Sequence, residues 1–232
     1  MKNGTLYAKR VKRVYKQLQT RDGPAISEES SPPVEQLVRA LLGWESTPAD
    51  ADEAFVALNE TMVDLNEVRV ATVPEIEVVI RDLIPNSTQC ARGISRSLNS
   101  IYRREHRVSL DQLRDKGRRE ARQYLESLNG ISPYASASVL LWSLGAHAIP
   151  VRQKLLEALR SNNLIDPDAG PSDVQGFLER NIAAVEAKRF CLTMEKLVGQ
   201  TAKSTAKAAA AKKKATESKS TDTGHKQKSG RR

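Results

Sequence analysis

Apolar residues recur at intervals of three and four along most of the first 200 residues, a spacing that gives a helix one apolar face. The pattern is clear in residues 34–44, 52–65 and 94–104, whereas the polar–apolar alternation of β-strands is scarce. It predicts an all-α fold, with helices over residues 5–20, 33–44, 50–64, 74–83, 87–105, 109–116, 118–128, 133–144, 151–161, 173–181 and 184–199.

Helix-start signals support this assignment. In a capping box, the first side chain accepts a hydrogen bond from a free backbone amide, and the side chain three residues later reaches back to the first amide. Three residue pairs have this spacing: Thr72 and Glu75, Ser109 and Gln112, and Ser172 and Gln175. Since each cap is worth about 1 kcal/mol, we expect helices to begin at these positions.

The last 32 residues differ from the rest of the chain in charge. Residues 201–232 contain ten Lys or Arg, two acidic residues and no large apolar residue, whereas residues 1–200 contain 27 basic and 26 acidic residues. Without apolar surface to bury, 201–232 should be disordered in isolation, and 1–200 should form the folded domain. The positive charge predicts a clamp on DNA phosphates that includes Lys212, Lys213 and Lys214. The Ala/Lys spacing would allow a helix once a polyanion neutralises the charge, and a purely solubilising tail is the alternative.

The composition argues against several kinds of site. The two cysteines are far apart and the three histidines have no ligand spacing, so we expect neither a zinc site nor a four-cysteine iron–sulfur cluster, and no cofactor. No apolar run approaches the roughly 20 residues that cross a bilayer. The N-terminus also lacks the apolar core of a signal peptide. We therefore expect a soluble monomer without a membrane partner, in the cytoplasm and associated with the nucleoid.

The stretch LNGISPYASA, residues 128–137, predicts a helix–hairpin–helix. Gly130 stands where a left-handed C-terminal cap needs a glycine, and Ile131 is the apolar residue of the turn. Ser132 suits the N-cap of the next helix and Pro133 its first position. The bare amides of such a turn favour a phosphate oxygen without any lysine. Short helix pairs are also common in proteins that do not bind DNA, so these ten residues alone leave the function open.

Three segments, considered together, extend this interpretation. Residues 30–47, 85–98 and 128–160 resemble in order and spacing the endonuclease III-like DNA glycosylases, the helix–hairpin–helix-GPD superfamily. The resemblance covers roughly residues 5–199. It implies two helical lobes with a DNA cleft between them, one lobe from the middle of the chain and the other from both ends. It also implies a hairpin at about residues 118–145 and a duplex from which a damaged base is flipped out.

The residues at the family's catalytic positions differ in chemistry. The family hairpin Leu-Pro-Gly-Val-Gly reads Leu-Asn-Gly-Ile-Ser at 128–132. Tyr134 stands where bifunctional members carry a lysine, and a phenol cannot form a Schiff base. Arg152 stands where most members carry an aspartate, and a cation can neither deprotonate water nor stabilise a cationic sugar. The family's glutamine near the flipped base falls at Glu45, and the four C-terminal cysteines of the cluster-bearing branch are missing.

The resemblance therefore implies a DNA surface without the usual chemistry, and three hypotheses follow. In the first, the protein holds duplex or damaged DNA without cutting a glycosidic bond. Its contacts would be Asn129, Gly130, Ile131, Ser132, Tyr134, Arg152, Glu45 and the tail lysines. Arg152 would be either a phosphate contact in the cleft or an ion-paired arginine.

The second hypothesis is an active DNA glycosylase with relocated catalytic residues. Glu157, Glu126 and Asp168 are near in sequence, but none stands at the aspartate's position. The third hypothesis is an interaction scaffold that binds no DNA, in which the tail acts only as a solubilising segment.

Overall fold

The structure, a computed structural model, describes residues 4–19 and 30–222, with side chains up to residue 205. Eleven α-helices make up this part of the chain, and it contains no β-strand. Their bounds are α1 Gly4–Leu18, α2 Pro33–Leu42, α3 Pro48–Thr61, α4 Leu65–Val70, α5 Val73–Ile80, α6 Ser87–Glu105, α7 Arg118–Glu126, α8 Pro133–Ser138, α9 Gln153–Ser161, α10 Pro171–Asn181 and α11 Ala187–Asp222. The predicted all-α class is confirmed.

Two groups of helices are held together by one continuous apolar core. In the first group, α2, α3, α4, α5 and α6 pack on one another, and α2 also packs on α8. In the second group, α1 and α9 pack on α11, and α10 packs on α1 and α9. One group therefore comes from the middle of the chain and the other from both ends, as the resemblance implies. The core runs through both groups, and Phe55 and Phe190 are among its largest fully buried side chains.

Helix α8 is short because its geometry changes rather than because it ends. Its backbone continues as one π-helical turn over Val139–Ser143, so the predicted helix at 133–144 is present but not uniform. Ala135, Ser136 and Ala137 are buried at its start. These small side chains let α8 approach α2 closely.

The capping predictions have mixed outcomes. Thr72 does precede α5, and its amide donates to Glu75 at 2.7 Å. Ser109 is not the N-cap of an α-helix, because a short 3-10 turn over Asp111–Asp115 follows and its N-cap is Leu110. The Ser109 hydroxyl accepts a hydrogen bond from the Asp111 amide at 3.1 Å and donates to the Asp111 carboxylate at 2.7 Å. Ser172 is also not a cap, since α10 begins one residue earlier, at Pro171, where proline's fixed φ suits the first turn.

Helix α4 is absent from the predicted set. Asp64 caps it, since its carboxylate accepts hydrogen bonds from the amides of Asn66 at 2.9 Å and Glu67 at 2.8 Å. The helix has six residues, and Val68 is its buried side chain. A helix with one buried position has no apolar periodicity, and the sequence pattern therefore could not predict α4.

Helix α11 carries the folded domain into the C-terminal tail. Its backbone continues to Asp222, through much of the segment whose composition predicts disorder in isolation. Alanine and lysine are good helix formers, which accounts for helical backbone without apolar packing. The predicted contacts of Lys212, Lys213 and Lys214 lie outside the described side chains, and residues 223–232 lie outside the described residues.

No helix in the described ranges is long and apolar enough to cross a membrane.

Candidate nucleic-acid interface

The predicted helix–hairpin–helix is present at the end of α7 and the start of α8. Gly130 has a φ of +90°, in the region that glycine tolerates and other residues avoid. Ser132 is the N-cap of α8, and its hydroxyl accepts a hydrogen bond from the amide of Ala135 at 3.2 Å. Pro133 is the first helical residue. The local geometry thus follows from the residue types that predicted it.

The inner edge of this turn rests directly on α6. A Cβ atom at Gly130 would lie 2.9 Å from Ser97 Oγ and 3.2 Å from Arg96 Cβ. The amide of Asn129 donates to Ser100 Oγ at 3.0 Å. Gly130 is therefore required for close approach as well as for its φ. The Asn129 amide therefore already has a partner, and the predicted DNA contact of Asn129 stays a prediction for its side chain.

The outer edge of the turn has free backbone donors. Asn129 and Gly130 are exposed, and Ile131, Ser132 and Tyr134 are half-buried. Within the described ranges, no hydrogen bond uses the amides of Gly130, Ile131, Ser132 or Tyr134. The side chain of Asn129 lines an open groove on α6. The hairpin is therefore not buried under other helices, and Asn129 and Gly130 at its turn are exposed to solvent.

A cavity of about 770 Å³ lies beside the hairpin, between α2, α8 and α11. Tyr134, Trp142, Arg152 and Glu195 line it. Tyr134 and Arg152 are the two residues that the sequence resemblance predicts at the family's catalytic positions. The structure therefore brings both into one cavity, as the resemblance implies.

Arg152 is buried in this cavity and links three segments of the chain by hydrogen bonds. It is the N-cap residue of α9 and is 5% exposed. Its Nε donates to Glu195 Oε1 at 3.1 Å, its Nη2 donates to Glu195 Oε2, and its Nη1 donates to the carbonyl of Ser46 at 3.0 Å. All three guanidinium nitrogens have protein acceptors. Of the two interpretations of Arg152, the structure supports the ion-paired arginine, and its contact with a DNA phosphate stays a prediction.

Glu195 is a residue of this candidate site that the sequence analysis missed. It lies on α11, 43 residues after its partner in the chain, and its side chain is 34% exposed to the cavity. Its position relative to Cys191 and Lys188 was a usable signal, because residues four and seven apart share a helix face. Both of those residues line the same cavity.

The three acids considered from the sequence do not reach the cavity. Glu157, Glu126 and Asp168 are exposed, and none of them lines it. The Glu157 carboxylate instead accepts a hydrogen bond from Gln153 Nε2 at 2.8 Å. Two other carboxylates line the cavity: Glu195, which is paired with Arg152, and Asp52, which is paired with Arg39.

Tyr134 is a neutral phenol at physiological pH. Burial raises the pKa of Tyr134 to about 12, and the positive charge of Arg152 opposes this increase only in part. Its ring lies 5.4 Å from that of Trp44 between centroids. Burial also raises the pKa of the Cys191 thiol in the same cavity. Neither group is a base or nucleophile near pH 7, because each is protonated there.

Glu45 is tied to a neighbouring loop. Its carboxylate accepts a hydrogen bond from Asn86 Nδ2 at 2.5 Å, which joins the loop after α2 to the start of α6. Burial raises the pKa of Cys90 to about 12, and the negative charge of Glu45 adds to this increase. The predicted role of Glu45 at a flipped base stays a prediction.

No group of three or more potential metal ligands occurs among the described residues.

The arrangement of these helices, with a hairpin beside a cavity between two lobes, is the fold of the endonuclease III-like DNA glycosylases. The chain aligns with an endonuclease III in a trapped covalent DNA intermediate, with a TM-score of 0.62, 18% identity and coverage of 84% of this chain and 85% of that one. The resemblance predicted from the sequence is confirmed at the level of the fold.

Two further solved structures agree. The H. pylori 3-methyladenine DNA glycosylase bound to 1,N6-ethenoadenine aligns with a TM-score of 0.63 and 13% identity, over 84% of this chain and 98% of that one. The Clostridium acetobutylicum 8-oxoguanine glycosylase/lyase in complex with double-stranded DNA aligns with a TM-score of 0.64 and 13% identity, over 86% of this chain and 71% of that one.

The sequence comparisons cover less of the chain than the structural ones. A proposed DNA glycosylase of Arabidopsis thaliana is 26% identical over 148 residues, which are 63% of this chain. The match spans 50% of that relative's length. No family model matches the chain.

Proposed function

We propose that this protein binds duplex DNA through its hairpin and holds it without the base-excision chemistry of its structural relatives. The observation that carries the proposal is the contrast within one site. The hairpin presents free amides, while the Arg152–Glu195 ion pair and the neutral phenol of Tyr134 occupy the adjoining cavity.

The hairpin suits a phosphate oxygen for electrostatic reasons. The free amides of Gly130, Ile131 and Ser132 are adjacent in the chain and lie at the start of α8. Backbone N–H groups at such a position carry partial positive charge and have no internal partner. Backbone contacts of this kind fix a duplex in place and carry no base specificity.

The residues at Tyr134 and Arg152 support a site without the lysine and aspartate chemistry that the resemblance implies. Tyr134 cannot form a Schiff base, and at pH 7 a phenol with a pKa of about 12 is ionised in about one molecule in 10⁵. Arg152 is committed to Glu195 and Ser46. The space of about 770 Å³ can still accept an extruded base.

The tail adds affinity that depends on salt. If its lysines and arginines neutralise about six phosphates, the slope of log K against log salt should include about −5 from the tail, at about −0.9 per phosphate. The full chain and residues 1–200 should therefore differ by several units in slope. An unchanged slope after deletion means that the tail does not contact DNA.

The test is a fluorescence-anisotropy titration of two duplexes, one intact and one with an abasic site, at several salt concentrations. We expect both the full chain and residues 1–200 to bind, with a preference for the abasic duplex because its missing base costs no unstacking. If neither protein shows salt-dependent binding, the proposal is wrong and the scaffold hypothesis takes its place.

A second candidate function is base excision with Glu195 as the relocated carboxylate. The observation that favours it is the position of Glu195, in the cavity beside Tyr134 and partly exposed to it. Its negative charge could stabilise a cationic sugar if a substrate displaced Arg152 from it. Base release from a panel of damaged duplexes, abolished by Glu195→Gln and retained by Glu157→Gln, would support this function over the first.

A further inference from the structure

Helix α6 carries a row of exposed arginines beside the hairpin. Arg92, Arg96 and Arg103 lie four and seven residues apart, which places them within about 40° of one another around the helix axis. We call these three residues the arginine stripe. None of them forms a hydrogen bond or ion pair with any other residue in the described ranges, although several other arginines of the chain are paired.

Two ordinary explanations do not account for the stripe. A cation near a helix C-terminus interacts favourably with the helix dipole, and this explains the position of Arg103 in the last turn. Arg92 and Arg96 lie in the sixth and tenth positions of a 19-residue helix, where the dipole gives no such benefit. A solvated helix face usually mixes both signs of charge. On α6, the acidic residue is Glu105, and its carboxylate accepts the hydroxyl of Tyr124.

The stripe continues directly into the hairpin. A groove of about 460 Å³ is lined by Arg96, Arg103 and Arg104 from α6 together with Asn129 from the hairpin, and no acidic residue lines it. Arg104 is held at its edge by a hydrogen bond of 2.7 Å to Ser127 Oγ. The Cβ of Arg96 lies beside Gly130, as the close approach at that glycine requires. Positive charge therefore extends from the turn along α6 without a break.

We propose that the arginine stripe binds backbone phosphates of the same DNA that the hairpin holds, so that the interface extends to one flank of the hairpin. This inference rests on the proposed DNA-binding function and adds a surface to it. Seven helical residues separate Arg96 from Arg103, a rise of about 10.5 Å. A duplex carries one phosphate charge per about 1.7 Å of its axis, so two arginines separated by this rise can each lie near a different phosphate. A groove whose charged lining residues are all arginines is complementary to such a polyanion.

The test compares the salt dependence of binding for the full chain and three variants on one abasic duplex. Arg96→Ala with Arg103→Ala removes two stripe charges. Arg13→Ala with Arg189→Ala removes two exposed arginines from the other group of helices and is the matched control. Arg96→Lys with Arg103→Lys keeps the charges. Since alanine favours helix and all four sites are exposed, circular dichroism should show that every variant is folded.

We expect the stripe variant to lose about two units of slope, at about 0.9 per phosphate. The lysine variant and the matched control should keep the wild-type slope. A wild-type chain that binds, with the stripe variant equal to it in slope, overturns this inference and leaves the proposed function intact. Equal losses in the stripe variant and the control also overturn it, because the effect would then reflect net charge alone. A wild-type chain that does not bind contradicts the proposed function itself.

Discussion

The hairpin turn and the cavity beside it lie within the same fold but offer different kinds of chemical group. The hairpin keeps its glycine with positive φ, its serine cap and its free amides, although its sequence departs from the family pattern. The cavity keeps its position but contains an ion pair and a neutral phenol. The contrast teaches that the geometry of a turn depends on few side chains, whereas the chemistry of a cavity depends on each of its side chains.

The ion pair in the cavity also has a structural role that the hairpin lacks. Arg152 joins the start of α9, the loop at Ser46 and helix α11. A buried cation that links three segments stabilises the arrangement of the two groups of helices. The two regions should therefore respond differently to mutation, and the following experiments examine that difference.

The largest effect is expected for Arg152→Ala. This change leaves Glu195 without its partner and the Ser46 carbonyl without its donor, so the free energy of unfolding should fall by about 3 kcal/mol. That figure is at the lower end of the range for buried pairs because Glu195 is 34% exposed. Urea denaturation measures it, and DNA affinity of the folded fraction should stay within about twofold.

The matched control for this pair is Arg152→Met combined with Glu195→Leu. Replacing both charges by apolar side chains leaves no unpaired ion, so the double variant should recover most of the lost stability. If Arg152→Ala alone costs less than about 1 kcal/mol, the pair does not connect the two groups of helices.

The next largest effect is expected at the hairpin, for Gly130→Ala. The φ of +90° and the 2.9 Å approach to Ser97 Oγ should cost about 2 kcal/mol of unfolding free energy. The displaced turn should also bind the abasic duplex about tenfold more weakly, a loss of about 1.4 kcal/mol. Denaturation and anisotropy titration measure the two effects separately.

Gly93→Ala is the control, because Gly93 lies on α6 and its carbonyl faces Gly130 where the hairpin packs on that helix. A Cβ at Gly93 meets nothing within 4 Å, and the residue is helical, so alanine should stabilise the protein by about 0.5–1 kcal/mol. Binding should be unchanged. Equal behaviour of the two variants would show that Gly130 is not required by its geometry.

A smaller effect is expected for Ser132→Ala, which removes the hydrogen bond to the Ala135 amide at 3.2 Å. Loss of this cap should cost about 1 kcal/mol of stability. Asp64→Ala removes the cap of α4 at about the same cost. Only the Ser132 variant should also weaken DNA binding, since α4 does not contact the hairpin. If both variants bind DNA as the wild type does, the N-terminus of α8 is not part of the interface.

The smallest effect at neutral pH concerns Tyr134. Its pKa is about 12 when folded, against 10.0 for an exposed tyrosine, so the unfolded chain loses this proton first. The free energy of unfolding that the protonated phenol contributes is complete below about pH 10 and is lost as the pH rises toward about 12. Between about pH 9 and about pH 11, the free energy of unfolding should therefore fall less for Tyr134→Phe than for the wild type. Urea denaturation at each pH measures this difference. An identical loss in both proteins would show that Tyr134 titrates normally.

Much of the fold could be predicted because its signals are local. Helix α6 begins and ends at the predicted residues, 87 and 105, because its apolar positions repeat over five turns. The left-handed conformation of Gly130 could be predicted from the residue types of the turn alone. Helix α4 was not, since one buried valine gives no period.

The site was predictable only in part because its pairings are long-range. The sequence places Arg152 in the cleft but does not indicate that its partner is Glu195, which lies 43 residues away on another helix. The free donors of Arg96 and Arg103 are likewise defined by where the hairpin packs on α6. Such contacts depend on the tertiary arrangement and not on any local pattern.

The most direct test of a binding site without the usual chemistry is one reaction analysed on two gels. Excess protein is incubated with a labelled duplex that carries a damaged base. A native gel reports the bound fraction, and a denaturing gel after alkali reports cleavage at any released base. We predict a salt-dependent shift of the duplex with no cleavage above the protein-free control. Cleavage that disappears with Glu195→Gln would contradict this account.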